Sequence, residues 1–61
     1  MMSHHRPTFS ELCGRGYIND VKYQLKYYNI NIHIRNEEPF RWACESGHLD
    51  IASLLLETSI E

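Results

Sequence analysis

The sequence has 61 residues, enough for one small domain, and a formal net charge of −2 from six basic and eight acidic side chains. Proteins that bind nucleic acid or membrane surfaces concentrate lysine and arginine on one face, and no such face is visible here, so we expect neither partner. No segment approaches the roughly 20 apolar residues of a membrane span, and the first residues are polar where a secretory signal has an apolar core. These features favour an intracellular, cytoplasmic protein that is not secreted.

The chain begins with a polar tail, residues 1–6, which we expect to be disordered. A short first helix follows Pro7, because proline suits the first turn of a helix. Gly14 and Gly16 end that helix, because glycine accepts the left-handed conformation that closes a helix. A second helix is predicted to begin near Asn19, whose side chain can accept from free backbone amides of the first turn. Residues 7–35 thereby form a first helix-turn-helix unit.

A connecting segment follows, in which Ile30, Ile32 and Ile34 alternate with polar residues. A period of two is typical of a strand, but the chain contains no second segment that could pair with it. We therefore expect an extended connector, or finger, whose alternate isoleucines pack against the helices.

The second unit, residues 36–61, repeats the first at an offset of 31 residues. Pro39 is predicted to open its first helix, Gly47 to end that helix, and Asp50 to cap its second helix. A period of about 20 to 50 residues indicates stacked supersecondary units, so the predicted fold class is all-α, with two helix-turn-helix units joined by a short finger. The identical pairs are Phe9 and Phe40, Cys13 and Cys44, and Gly16 and Gly47.

Pro39, the Ala43-Cys44 pair and the Gly-His-Leu-Asp run at residues 47–50, followed by leucines at 54–56, resemble the ankyrin repeat. The Asn-Ile-Asn at residues 29–31 is similar to the start of the finger in that family. Glu38 and Arg41 depart from the usual threonine and histidine, and the spacing is 31 residues where ankyrin repeats have about 33. The second unit is also similar to the long arrays of giant DNA viruses. The resemblance implies ankyrin-like helix pairs that stack as part of a solenoid.

The resemblance further implies an intracellular scaffold: a non-enzymatic module that binds a protein partner through its finger tip and the concave face of its first helices. No catalytic, cofactor-binding or metal-binding residue is implied. Among the candidate partner-binding residues, Arg41 and Trp42 rank below the others. The partner-binding residues carried over to this chain are Gly14, Arg15, Ile34, Arg35, Asn36, Glu37, Arg41, Trp42, Glu45 and Ser46.

The second helices of the two units differ in polarity. Asp20 and Gln24 of the first unit stand where the second has isoleucine and leucine, so the first unit has the polar outer face of a terminal, capping unit, and the second is of the internal type. Arrays of this kind need about three or more repeats for stability. We therefore expect a fragment of a longer array, a chain that self-associates through the second unit, or a partly disordered product. The residues expected at the self-associating face are Ile51, Leu54, Leu55 and Leu56.

Cysteine and histidine raise two further alternatives. Structural zinc needs paired ligands two to four residues apart, whereas Cys13 and Cys44 stand singly and the adjacent His4 and His5 lie in the tail. A catalytic cysteine needs an orienting base and a pocket, which two helix pairs are not expected to enclose. We interpret both cysteines as small buried residues, too far apart for a disulfide and typical of a reducing compartment.

Overall fold

The computed structural model describes residues 6–59, and within that range every element is a helix. The predicted all-α class is therefore confirmed. No helix in this part of the chain combines the length and apolar character needed to cross a membrane. The expected disordered tail lies outside the described residues except for Arg6. The helices are α1 (Phe9–Arg15), α2 (Ile18–Tyr27), α3 (Ile34–Glu45) and α4 (Leu49–Thr58).

The helices pack as two pairs, α1 with α2 and α3 with α4, each closed by a short turn. The most extensive packing joins α1 to α3 across the pairs, and α2 contacts α4. The core therefore lies between a layer of α1 and α3 and a layer of α2 and α4. The buried apolar residues of this core are Leu12, Cys13, Val21, Ile32, Ala43, Ile51, Ala52 and Leu55.

The helices begin in two different ways. Helix α1 has a reciprocal cap, in which the Glu11 amide donates to Thr8 Oγ1 at 3.1 Å and the Thr8 amide donates to Glu11 Oε1 at 3.0 Å. Helices α2 and α4 follow Tyr17 and His48, neither of which gives a side-chain cap. Asn19 and Asp50 are not the N-caps, because the tight turns place the caps two residues earlier and both residues inside the first turn. The Asp50 carboxylate nevertheless accepts from a first-turn amide, that of Ile51, at 2.8 Å, as expected for this side chain.

The two turns and the ends of the helices that follow them repeat the same backbone hydrogen bonds at the offset of 31 residues. Gly16 and Gly47 both adopt the left-handed conformation, with φ of 83° and 79°. The repeat in the sequence is thus also a repeat of backbone geometry. Corresponding bonds, 2.8 to 3.4 Å long, have as donors Gly16, Tyr17, Ile18, Val21 and Tyr28 in the first pair, and Gly47, His48, Leu49, Ala52 and Ser59 in the second.

The finger between the pairs is partly as predicted. Ile32 is buried and Ile30 packs partly buried against the core, but Ile34 is exposed and already belongs to α3. The start of α3 is irregular, because Arg35, Asn36 and Glu37 are left-handed, with φ of 54°, 59° and 65°. The regular right-handed helix occupies residues 38–45.

Candidate functional site

A groove of about 310 Å³ lies between the carboxyl-terminal ends of α1 and α3. It gathers half of the partner-binding residues expected from the sequence. Glu11 also lines it, although we did not predict that residue as part of the site. The predicted residues in the groove are Gly14, Arg15, Trp42, Glu45 and Ser46.

Gly14 contributes backbone to the floor of the groove, directly beside Trp42. A Cβ atom at this position would lie 3.4 Å from Trp42 Cβ and 3.5 Å from Trp42 Cε3, so the indole packs directly on the backbone of α1. Trp42 itself is half-buried, with part of its ring open to the groove. The site thus has a floor of backbone and an aromatic wall.

Besides Glu11, two exposed charged side chains of opposite sign line the same groove. Arg15 ends α1 and Glu45 ends α3, and both are exposed. Within residues 6–59 neither of them forms an ion pair. Each is therefore available to a charged or polar group of a ligand.

Four of the five remaining predicted residues, Ile34, Arg35, Asn36 and Glu37, lie at the opposite end of α3. The intervening residues 38–45 form two helical turns, about 10 to 12 Å at 1.5 Å per residue. The predicted surface is therefore divided into a groove and a separate finger tip.

Side-chain bonds hold the finger tip in its left-handed turn. Arg41 Nε donates to the Asn36 carbonyl at 3.0 Å, and Arg41 Nη2 donates to the Arg35 carbonyl at 3.3 Å. His33 Nδ1 lies 2.8 Å from Glu37 Oε2. Arg41, which we expected on the partner-binding surface, thus has a positioning role in the finger.

The apolar surface expected on α4 lies on a different side of that helix. Ile51 and Leu55 are only 0% and 3% exposed, because they form the core together with Val21 of α2. The prediction that these two residues form a self-associating face is therefore wrong. Leu54 is partly buried, and Leu56 is 54% exposed. Sequence reasoning missed Leu49, which is 68% exposed and lies seven residues before Leu56, on the same side of α4.

The two cysteines are free thiols in contrasting surroundings. Cys13 is completely buried, and burial raises the pKa of its thiol from 9.0 to about 11. Cys44 is exposed, so the expectation of two buried cysteines is wrong for it. The reason is that α3 packs over α1, whereas the equivalent side of α3 is uncovered in the part of the chain that is described. Among residues 6–59, no three histidine, cysteine, aspartate or glutamate side chains are grouped so that they could hold a metal.

No protein-family model matches the chain, and no curated protein or solved structure shows significant similarity to it.

Proposed function

We propose that the chain is a non-enzymatic protein-binding module of the ankyrin-repeat type, which takes a segment of a partner protein in the groove between α1 and α3. The observation that carries this proposal is the convergence of Gly14, Arg15, Trp42, Glu45 and Ser46 on one groove. The repetition of backbone bonds in the two turns supports ankyrin-like helix pairs.

The groove favours a particular kind of segment. Trp42 offers an apolar wall, and tryptophan is among the residue types that carry most binding energy at protein interfaces. Arg15 and Glu45 can pair with groups of either charge at the groove's rim. The expected ligand is an exposed segment with one apolar or aromatic side chain flanked by an acidic and a basic residue.

A binding role also agrees with the chemistry of the one buried thiol. Nucleophilic catalysis requires a thiolate, and burial raises the pKa of Cys13 to about 11, which keeps the thiol protonated near neutral pH. Cys13 is therefore a core residue rather than a nucleophile.

Trp42 makes the proposal testable, because it is the only tryptophan of the chain and lies in the groove. Peptides selected from a displayed random library should change its fluorescence emission when they bind. The variants Arg15→Ala and Glu45→Ala should each weaken binding by about two- to fivefold, as expected for exposed charged contacts at the rim of an interface. Lys22→Ala is the matched control, since Lys22 is exposed on α2 and does not line the groove.

Circular dichroism of each variant confirms that the helices are retained. Selected peptides that bind with equal affinity to wild type and to both groove variants would place recognition elsewhere and refute the proposed groove. The same conclusion would follow if selection returned only peptides that leave the emission of Trp42 unchanged.

A further inference from the structure

The repeat allows each position of the second pair to be compared with the same position of the first. Cys13 is buried, and its equivalent Cys44 is exposed. A Cβ atom built on Gly16 would lie 2.5 Å from the ring of His48, whereas one built on Gly47 would meet no atom of residues 6–59 within 4 Å. Positions of the first helix pair that are covered by the second pair are thus exposed at the equivalent positions of the second pair.

The second helices show the same contrast. Ile18 and Leu25 of α2 are partly buried against the core. Their equivalents on α4, Leu49 and Leu56, are 68% and 54% exposed. We call the side of the second pair that carries Phe40, Cys44, Leu49 and Leu56 the open face.

The open face includes an apolar groove of about 310 Å³. Four apolar side chains line it, and the exposed Leu56 is one of them. His33 and Glu37, both exposed, lie at its edge. The remaining lining residues are Ile32, Phe40, Leu55 and Ser59.

We propose that the open face binds the open face of a second copy of this chain, in a dimer with two-fold symmetry. In such an interface, when one residue of the first copy contacts a second residue of the other copy, symmetry also brings that second residue of the first copy against the first residue of the other. The surface must therefore complement itself. The open face has the required elements, because the exposed Leu56 lies beside an apolar groove that can accept the partner's leucine.

The charges at the groove's edge are self-complementary as well. His33 and Glu37 are 2.8 Å apart and carry opposite charges when the histidine is protonated. Across a two-fold axis each can face the opposite member of the partner's pair. No like-charge contact is then forced on the interface.

Head-to-tail stacking of copies is the alternative, and the outer side of the first pair disfavours it. Asp20 is exposed there, at the position equivalent to the buried Ile51. Covering Asp20 with the open face of another copy would desolvate a carboxylate against apolar residues. A closed dimer therefore fits the surface better than an open filament.

The test uses the 61-residue chain and the contrast between its two cysteines. Sedimentation equilibrium should give a mass that rises with concentration from that of one chain to that of two and no further. A bismaleimide crosslinker should join two copies through Cys44, since Cys13 is buried with a raised thiol pKa. Leu56→Glu should weaken dimerisation by about 100-fold or more, because two leucines leave the interface, one from each copy.

Tyr17→Glu is the matched control. Tyr17 is exposed and is the counterpart of His48, so it lies on the side of the first pair that a head-to-tail stack would cover. Dimerisation that is lost in Leu56→Glu and kept in Tyr17→Glu supports the two-fold dimer. If Leu56→Glu does not fold, Leu49→Glu takes its place.

Three results would overturn the proposal: a monomer at every concentration, a mass that grows beyond two chains, or association that Tyr17→Glu abolishes. None of these measurements involves Trp42, so the dimer and the binding groove can fail independently.

Discussion

Replacing Gly16 by alanine should destabilise the chain more than the same change at Gly47. Both glycines have a left-handed φ, 83° and 79°, so the backbone penalty is nearly the same at the two positions. Only at Gly16 would the new methyl group meet another side chain, because three ring atoms of His48 lie 2.5 to 2.8 Å from its Cβ position. The difference between the two variants therefore isolates the packing of His48 on the first turn.

The expected losses of stability have two contributions, the left-handed backbone at both positions and the contact with the His48 ring at Gly16. An alanine in the left-handed region costs about 1 to 2 kcal/mol, which is the whole effect expected for Gly47→Ala. Displacement of the His48 ring adds about 1 to 3 kcal/mol for Gly16→Ala, as in overpacked sites. A chain of this size has a stability of about 3 to 5 kcal/mol at most, so Gly16→Ala should be close to unfolding.

Urea denaturation followed by far-ultraviolet circular dichroism measures both variants. A single low protein concentration excludes any contribution from association, and sucrose can raise the stability of the whole series equally. His48→Ala combined with Gly16→Ala should bring the loss close to that of Gly47→Ala. Equal losses for the two single alanine variants, or no rescue by His48→Ala, would show that the ring does not constrain the turn.

Three other changes have expected outcomes. Gly14→Ala should raise the free energy of unfolding by about 0.5 to 1 kcal/mol in the same assay, because glycine is unfavourable inside a helix. The added methyl group would make ordinary contacts with Trp42. A lower free energy of unfolding would mean that the indole ring cannot accommodate the methyl group. Asn36→Gly should stabilise the chain by up to about 1 kcal/mol, and Asn36→Val should destabilise it, because residue 36 has a left-handed backbone conformation. A valine variant more stable than the glycine variant would contradict the left-handed conformation at residue 36. Burial raises the pKa of Cys13 from 9.0 to about 11, so the folded state favours the protonated thiol. The contribution of this protonation to the free energy of unfolding is complete below pH 9 and is lost as the pH rises through about 11. Cys13→Ala should reduce that pH dependence, and an unchanged slope would assign it to other groups.

The sequence predicted the helices and much of the groove from features that act locally. Gly16 and Gly47 lie at helix ends and Pro39 at the start of the regular part of α3, as predicted. Gly14, which we also expected to end α1, lies inside that helix. Gly14 and Glu45 share the groove because they occupy equivalent positions on two helices that pack together. Half of the predicted partner-binding residues therefore lie in one place, without any knowledge of the packing between helices.

Other features depended on packing that the sequence does not specify. Leu54, Leu55 and Leu56 are equally apolar, so only the contact with α2 decides that Leu55 is buried and Leu56 is exposed. Cys44 looks like Cys13 in sequence, and the two differ only in whether a further element covers them. The left-handed turn was missed because residues 35–37 contain no glycine.

The left-handed turn is secured by side chains that all come from an eleven-residue segment, from Asn31 to Arg41. Within the described residues, its side-chain hydrogen bonds and ion pairs begin and end inside this segment. Residues inserted or deleted before Asn31 would therefore change the length of the connection between the helix pairs without removing a bond of the turn. The finger can therefore keep its shape in proteins whose connection between the two helix pairs has a different length.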